Sequence, residues 1–282
     1  MKLILTCLTV AFCALGARAA SAPPLRIHWE KNYLTIAGDR LPGPIRIHYL
    51  EAYCRPGSTD RDWRETVIRH TAELVSTSSD GSVINLKDTL TDGVVVTHVI
   101  TARADEVDFR LTAHNPTATA SQAHWAQPCI RVDAFTGADP KDARTLVPPY
   151  AHQCFLFLGG KLTPLPTQPW ADKARYVPGQ VYAPAHVDRN DVNPRPLSAL
   201  VPSNGLCGCY SQDRRMIMAV AWEPYQEIFQ GVITCIHNDF RIGGLKPRET
   251  KVIRGKIYLV PADEAALVQR FERDFPEQAR RR

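Results

Sequence analysis

The segment 67–113 constrains the fold most, because it alternates apolar and polar residues in four runs that are separated by short turns. Two of the turns carry Asp-Gly, at Asp80-Gly81 and Asp92-Gly93, and Asp-Gly between alternating runs is a strong signal for a β-hairpin. Alternation with a period of two places one face of each strand against a core. The runs cover 67–77, 83–90, 94–102 and 107–113. The segment therefore predicts an antiparallel meander.

Strand patterns also occupy both ends of the chain, and a helical pattern closes it. The strand patterns lie at 25–29, 34–36, 44–53, 206–210, 215–222, 227–236 and 251–260. Near the C-terminus, Leu267, Phe271 and Phe275 recur at helical spacing after Asp263, a residue type that caps helix N-termini. The sequence predicts an all-β protein: a large two-sheet antiparallel β-sandwich with a short C-terminal helix.

The middle of the chain, at about 135–203, is rich in proline, glycine and polar residues and predicts a long irregular insertion. One hairpin is expected inside it, where a Gly159-Gly160 turn separates strand patterns at 154–158 and 161–165. Loops this long in compact domains are usually functional or disordered, and the scattered aromatic residues disfavour disorder. We see no linker, so residues 20–282 are predicted to form a single domain.

The N-terminus has the three parts of a cleaved export signal. Lys2 supplies the positive charge, an apolar stretch follows, and Ala17-Arg18-Ala19 places small residues where a signal peptidase reads them. The apolar run is shorter than the roughly 20 residues that a membrane span needs. We therefore predict a signal peptide at 1–19, a secreted or periplasmic protein, and no membrane span after cleavage.

Charge and cysteine spacing bear on partners and cofactors. The net charge of +5 is small, and no basic stripe is interleaved with aromatic residues, so nucleic acid is not an expected partner. Cys207-Gly208-Cys209 lacks the second ligand pair of common zinc sites, so we expect no metal site and no other cofactor. Several cysteines lie in apolar strand patterns and are expected to act as small hydrophobic residues, with their disulfide pairing left open. The cysteines beyond the signal are Cys54, Cys129, Cys154, Cys207, Cys209 and Cys235.

The segment 186–195 is the densest polar stretch of the chain. Its side chains are of the kind that bind sugar hydroxyl groups through bidentate hydrogen bonds. Two other interpretations stay open: a solvated loop held by Asx turns, and a calcium site that uses Asp188, Asn190 and Asp191. The residues assigned to saccharide binding here are Asp188, Arg189, Asn190, Asp191, Asn193 and Arg195.

Two further clusters combine polar and aromatic residues at strand positions. We assign them to the floor of a saccharide site on one face of a sheet, although each residue alone is also compatible with a core or rim position. In a strand, Trp125 and Gln127 would share one face and His124 the other. The assigned residues are Trp125, Gln127 and Arg131 in the first cluster and Trp222, Tyr225 and Glu227 in the second.

Three residues are candidates for acid/base catalysis: His124, His186 and Glu223. An epimerase or lyase needs a base, an acid and a group that stabilises developing negative charge, and it needs no dissociable cofactor for this. Glu223 or His186 would take a proton, and His124 or Tyr225 would return one. Arginine residues of the 186–195 segment would pair with the carboxylate of an acidic saccharide.

Two short motifs resemble the galactose-mutarotase-like β-supersandwich superfamily. The run 107–117 ends a strand in Asn115-Pro116-Thr117, and Leu245-Lys246-Pro247-Arg248-Glu249-Thr250 is similar to the closing strands of such domains, with Arg248 in place of the usual glycine. The resemblance implies a supersandwich fold and a bias towards saccharides.

The predicted function is a carbohydrate-binding or carbohydrate-active protein with epimerase- or lyase-like acid/base chemistry. The alternative is a non-catalytic envelope or adhesion module that binds a protein partner through aromatic residues of the middle region.

Overall fold

The first of two large antiparallel sheets runs in the order β1-β2-β3-β9-β16-β15-β12, with β4 paired to β3. The computed structural model describes residues 25–58, 61–139, 149–169, 180–192, 196–231 and 233–279. The strands of this sheet are β1 Arg26–Glu30, β2 Tyr33–Ala37, β3 Ile45–Cys54, β4 Val67–Ile68, β9 Trp125–Arg131, β12 Val181–Tyr182, β15 Tyr225–Gly231 and β16 Cys235–Arg241.

The second sheet runs in the order β11-β10-β13-β14-β17-β8-β7-β6-β5. Its strands are β5 His70–Thr77, β6 Val83–Leu90, β7 Val95–Ala102, β8 Glu106–His114, β10 Cys154–Leu158, β11 Lys161–Pro164, β13 Cys207–Tyr210, β14 Met216–Glu223 and β17 Thr250–Pro261. The helical segments are α1 Trp63–Thr66, α2 Asp133–Thr136, a 3₁₀ turn at Pro149–Gln153, α3 Glu264–Asp274 and α4 Pro276–Ala279. The predicted all-β sandwich with a short C-terminal helix is confirmed.

The predicted meander is confirmed from residue 70 onward, since β5, β6, β7 and β8 pair in chain order, whereas Val67 and Ile68 of its first predicted run form β4 and pair with β3 in the first sheet. The Asp-Gly turn after β6 needs a left-handed backbone at Gly93, where φ is 94°. The hairpin expected in the middle region is present as β10 and β11, joined at Gly159-Gly160.

One strand assignment was wrong. The pattern at 227–236 predicted a single strand, but the chain turns between β15 and β16. Gly231 pairs with Cys235 across this turn, and Thr234 adopts a left-handed φ of 56°. The apolar residues around the turn hid it from a periodicity argument. As a consequence, residues 237–241 continue β16 beyond the predicted strand end at 236.

The main core lies between the two sheets. Trp222 is fully buried there, where its ring contacts Phe109 and Phe240 at centroid distances of 5.2 and 4.8 Å. A smaller core forms on the other face of the second sheet, where Leu267 and Phe271 of α3 pack. Both faces of β14 are therefore apolar, as its sequence predicted.

Part of the middle region covers the first sheet. Val181, Ala183, Val187 and Val192 pack with Phe229 of β15 and form a small apolar cluster on the face turned away from the main core. The rest of that region, at 140–148, 170–179 and 193–195, lies outside the described residues. So does the predicted signal peptide at 1–19. Among the described residues, no helix is long and apolar enough to cross a membrane.

Candidate functional site

A buried polar surface covers the face of the first sheet that points away from the second sheet; we call it the outer face. Strand alternation creates it, because Ile236 and Phe240 of β16 point into the main core and the residues between them point outward. Asn238 also points inward, where its amide donates to the Val220 carbonyl at 3.1 Å. The outer face comprises Trp125, Gln127, Cys129 and Arg131 of β9, Cys235, His237, Asp239 and Arg241 of β16, and Glu227 and Phe229 of β15.

Carboxylates gather at the centre of this face. Glu227 of β15 lies directly opposite Asp239 of β16, and the side chains of both are fully buried. Burial raises the pKa of the Cys54 thiol well above its ordinary value, and the nearby charges of Asp239, Glu227 and Asp191 raise it further. Carboxyl groups from different parts of the chain therefore lie near enough to act on one buried thiol.

Asp191 reaches this face from the segment that covers it. Its Oδ1 accepts a hydrogen bond from the Gly57 backbone N–H at 3.0 Å, and its Oδ2 lies 3.3 Å from Nη1 of Arg241. The side-chain amide of Gln226 bridges the same groups, since it donates to the Asp191 carbonyl and accepts from Arg241. Asp191 is held in place from three sides, which fixes its carboxylate towards His124.

His124 stands at the edge of the outer face, directly before β9. Its Nδ1 lies 3.6 Å from Oδ2 of Asp191, and its side chain is 24% exposed. Its backbone is fixed, because its N–H donates to Cys54 and its carbonyl accepts from Ile242 and Gly243. The pair therefore presents a partly open imidazole with a carboxylate behind one nitrogen, an arrangement that can pass protons to a bound molecule.

A second carboxylate–imidazole pair lies deeper in the face. Oδ1 of Asp239 lies 3.5 Å from Nδ1 of His237, and burial raises the pKa of Asp239 to about 7 although His237 opposes the shift. Burial lowers the pKa of His237, but the charges of Cys129 and Asp239 outweigh it and raise that pKa to about 10. A hydrogen bond with Cys235 and burial raise the pKa of the Cys129 thiol well above its ordinary value.

The structure brings several predicted site residues together. Trp125, Gln127, Arg131 and Glu227 share the outer face, and His124 and Asp191 meet at its edge. The expected contact between strand floor and middle-region wall thus occurs through His124 and Asp191.

Other predicted residues lie elsewhere. Trp222 fills the main core, and Glu223 is on β14 of the second sheet, opposite Arg254 of β17. His186 and Tyr225 line a separate shallow cavity together with Asn204 and Gln278.

The polar segment itself behaves largely as a structured loop. The Asp188 side chain accepts from the Asn190 backbone N–H at 2.9 Å, which is an Asx turn, and Arg189 donates to the Ser198 carbonyl at 2.9 Å. Asp191 is the buried member among the described polar residues of the segment, whereas Asp188, Arg189 and Asn190 are exposed. Asn193 and Arg195 lie outside the described residues.

Sequence reasoning missed Asp239, Arg241 and His237 as site residues. The signal was present as alternation, because Cys235, His237, Asp239 and Arg241 occupy every second position around the inward-facing Ile236, Asn238 and Phe240. The polar Asn238 at an inward position breaks the apolar half of that pattern and obscures the alternation.

No family model matches the sequence, and no curated protein sequence matches it. Solved structures do show similarity. One is a candidate aldose 1-epimerase from Escherichia coli K12, with 11% identity, coverage of 83% of this chain and 98% of that one, and a TM-score of 0.43. Another is a galactose mutarotase-like protein from Clostridium acetobutylicum, with 9% identity, coverage of 83% and 94%, and a TM-score of 0.44.

Galactose mutarotase-like proteins are thus among the solved structures to which this chain is similar. An α-N-acetylgalactosaminidase from Bifidobacterium bifidum also matches, with 12% identity, coverage of 91% of this chain and 38% of that one, and a TM-score of 0.45. Folds of this kind host unrelated activities, so the side chains of the outer face decide the function.

Proposed function

We propose that this protein is an exported carbohydrate-active protein that performs acid/base chemistry on a saccharide at the outer face. The observation that carries the proposal is the His124–Asp191 pair, which places a partly open imidazole at the edge of a buried carboxylate cluster. Export rests on the N-terminal signal pattern. N-terminal sequencing of the mature protein is expected to begin near Ala20, and an intact Met1 in the exported protein would contradict it.

Each group has a role that follows from its position. The Nδ1 of His124 faces Asp191, so Nε2 is the atom that exchanges a proton with the ligand. Asp191 lies behind Nδ1 and orients the imidazole. Glu227 supplies a second carboxylate from β15, the strand that pairs with β16. Arg241 of β16 balances the negative charge of Asp191. Removal of one acid/base group of this kind typically lowers the rate by about 10²–10⁴-fold.

A saccharide suits this surface better than a protein partner does. At the partly open edge, Asp191 and Arg241 offer the carboxylate and guanidinium groups that bind hydroxyl groups in pairs. Among the described residues, the exposed large hydrophobic side chains are all aliphatic, so no aromatic patch for a partner is found there. Those side chains are Leu74, Val75, Val99, Leu200, Val201, Ile233 and Val252.

The test is turnover of a saccharide panel followed by proton NMR in heavy water. The panel contains D-galactose, D-glucose and digalacturonate. The same spectra show whether a sugar exchanges its anomers, takes up deuterium at carbon or undergoes elimination. We expect at least one of them to react, and His124→Gln to lower its rate by about 10²–10⁴-fold. Asp191→Asn is expected to lower the rate less, because it misorients the imidazole but keeps it.

His114→Gln is the matched control, because His114 is a half-buried histidine on the second sheet whose Nδ1 lies 2.8 Å from the Thr250 hydroxyl. It is expected to keep the wild-type rate. Wild-type rates in a folded His124→Gln variant would show that the pair does not act on the ligand.

A further inference from the structure

Three side chains that bind soft metal ions converge below the centre of the outer face, apart from the His124–Asp191 pair. The ligand atoms of Cys129, Cys235 and His237 all lie within 4.8 Å of one another, and all three residues are buried. Among the described residues, these three form the one cluster of histidine, cysteine or acidic side chains whose ligand atoms lie close enough to hold a metal ion. Strand pairing produces it: Cys129 lies opposite His237, and Cys235 shares the face of His237 two residues earlier.

The spacing matches a metal site. Nε2 of His237 lies 3.5 Å from Sγ of Cys235. Two ligands bound tetrahedrally to zinc, at about 2.3 Å for sulfur and about 2.0–2.1 Å for nitrogen, stand about 3.6 Å apart. The imidazole is therefore already close to the position that shared coordination requires.

The surroundings of His237 fix its ring and select the ligand nitrogen. Phe229 stacks on the ring at a centroid distance of 4.2 Å and an interplanar angle of 7°. Oδ1 of Asp239 lies 3.5 Å from Nδ1, on the side away from the thiols. A carboxylate behind the non-ligating nitrogen is the common support of metal-binding histidines.

We propose that Cys129, Cys235 and His237 form a binding site for a thiophilic d¹⁰ metal ion, with Zn²⁺ as the ion that this ligand set fits. Two cysteines and one histidine leave a fourth position for water or another ligand. Binding needs both cysteines as thiolates and the His237 imidazole in its neutral form, so two thiol protons and one imidazolium proton leave to solvent for each Zn²⁺ that enters, and the two thiolates balance the charge of the ion. The metal would fasten β9 to β16 beneath the proposed saccharide site.

The experiment uses the full-length protein, reduced and stripped of metal, and measures zinc affinity by competition with a chromophoric chelator. Wild type is expected to bind one Zn²⁺ per chain. Cys129→Ser and Cys235→Ser are expected to weaken binding by more than about 100-fold, since each removes a ligand, and Asp239→Asn by about 10–100-fold. Cys154→Ser is the matched control, because Cys154 is equally buried but lies in the second sheet, and it is expected to bind as wild type does.

Co²⁺ loading of the wild-type protein gives a second measurement that needs no variant. Thiolate-to-cobalt charge-transfer bands are expected, and Zn²⁺ or Cu⁺ should abolish them. Three results would each overturn the proposal. They are the absence of these bands, an unchanged zinc affinity in both folded serine variants, and a Cys129–Cys235 disulfide in the isolated protein that prevents metal loading. Saccharide turnover in metal-free protein leaves the proposal intact, because the His124–Asp191 pair contains none of these ligands.

Discussion

At the scale of single residues, a polar network crosses the main core and ties the two sheets together. The Tyr53 hydroxyl of the first sheet donates to Oδ2 of Asp88 in the second sheet at 2.6 Å. Nε2 of His98 lies 3.1 Å from the same oxygen, and the Tyr49 hydroxyl lies 2.8 Å from Nδ1 of His98. All four side chains are buried, so each depends on the others for hydrogen bonds that water cannot supply.

Asp88→Asn is expected to destabilise the protein by about 3 kcal/mol at pH 7, because the network loses a buried charged acceptor. Burial alone would raise the pKa of Asp88, but the hydrogen bond and charge of His98 and the bond from Tyr53 outweigh it and lower that pKa. A depressed pKa in the folded state means that the stabilisation is present above the unfolded pKa of about 3.9 and is lost as pH falls through the folded value.

Urea denaturation from pH 7 down to pH 3 measures this effect. The difference in unfolding free energy between wild type and Asp88→Asn is expected to narrow as the pH falls below about 4. Tyr33→Phe is the control, because Tyr33 is a half-buried tyrosine outside this network and its loss of a hydroxyl should change stability little. A difference that stays constant across the pH range would rule out an ionised Asp88 in the folded protein.

The residue scale also shows where sequence reasoning stopped. His124 was identified from its sequence, whereas its partner Asp191 stood among six polar candidates of one segment. What distinguishes Asp191 is burial against Gly57 and Arg241, two residues far away in the chain. Such long-range burial has no local signature, which is why the pairing could not be predicted.

At the scale of elements, regular alternation predicted strands correctly, whereas the position of a strand end was missed where no turn residue marked it. The meander was predicted because its runs alternate and two of its turns carry Asp-Gly, and the β10–β11 hairpin because Gly159-Gly160 separates its two runs. The β15–β16 turn was missed because apolar residues continue through it, and Thr234 takes the left-handed conformation where a glycine would have signalled it.

The C-terminal helix gives a prediction at this scale. The Asp263 side chain accepts from the Ala266 backbone N–H at 2.9 Å and so caps α3, whose apolar face completes the second core. Asp263→Ala is expected to cost about 1 kcal/mol of stability, and Asp263→Asn to cost much less, because asparagine keeps the capping oxygen. Thermal or urea denaturation of both variants measures the difference. Equal losses would mean that charge, and not the cap hydrogen bond, carries the effect.

At the scale of the whole molecule, the two-sheet architecture followed from the sequence because hydrophobic alternation is a local property that sums along the chain. The site did not follow in the same way. It depends on which outward-facing positions of β9, β15 and β16 become neighbours and on which part of the middle region covers them. The strand register places Glu227 opposite Asp239, whereas Glu223 lies on the other sheet. Sequence spacing alone cannot show which of the two glutamates belongs to the site.

The central claim is that a saccharide binds beside His124, and NMR of protein with ¹⁵N-labelled histidine side chains tests it most directly. The saccharide that reacts or binds best among D-galactose, D-glucose and digalacturonate is titrated into wild type, with resonances assigned through His124→Gln, His186→Gln and His114→Gln. We predict a saturable shift of the His124 imidazole and none for His114. Shifts confined to His186, which lines the separate cavity with Tyr225, would contradict the account and move the binding site there.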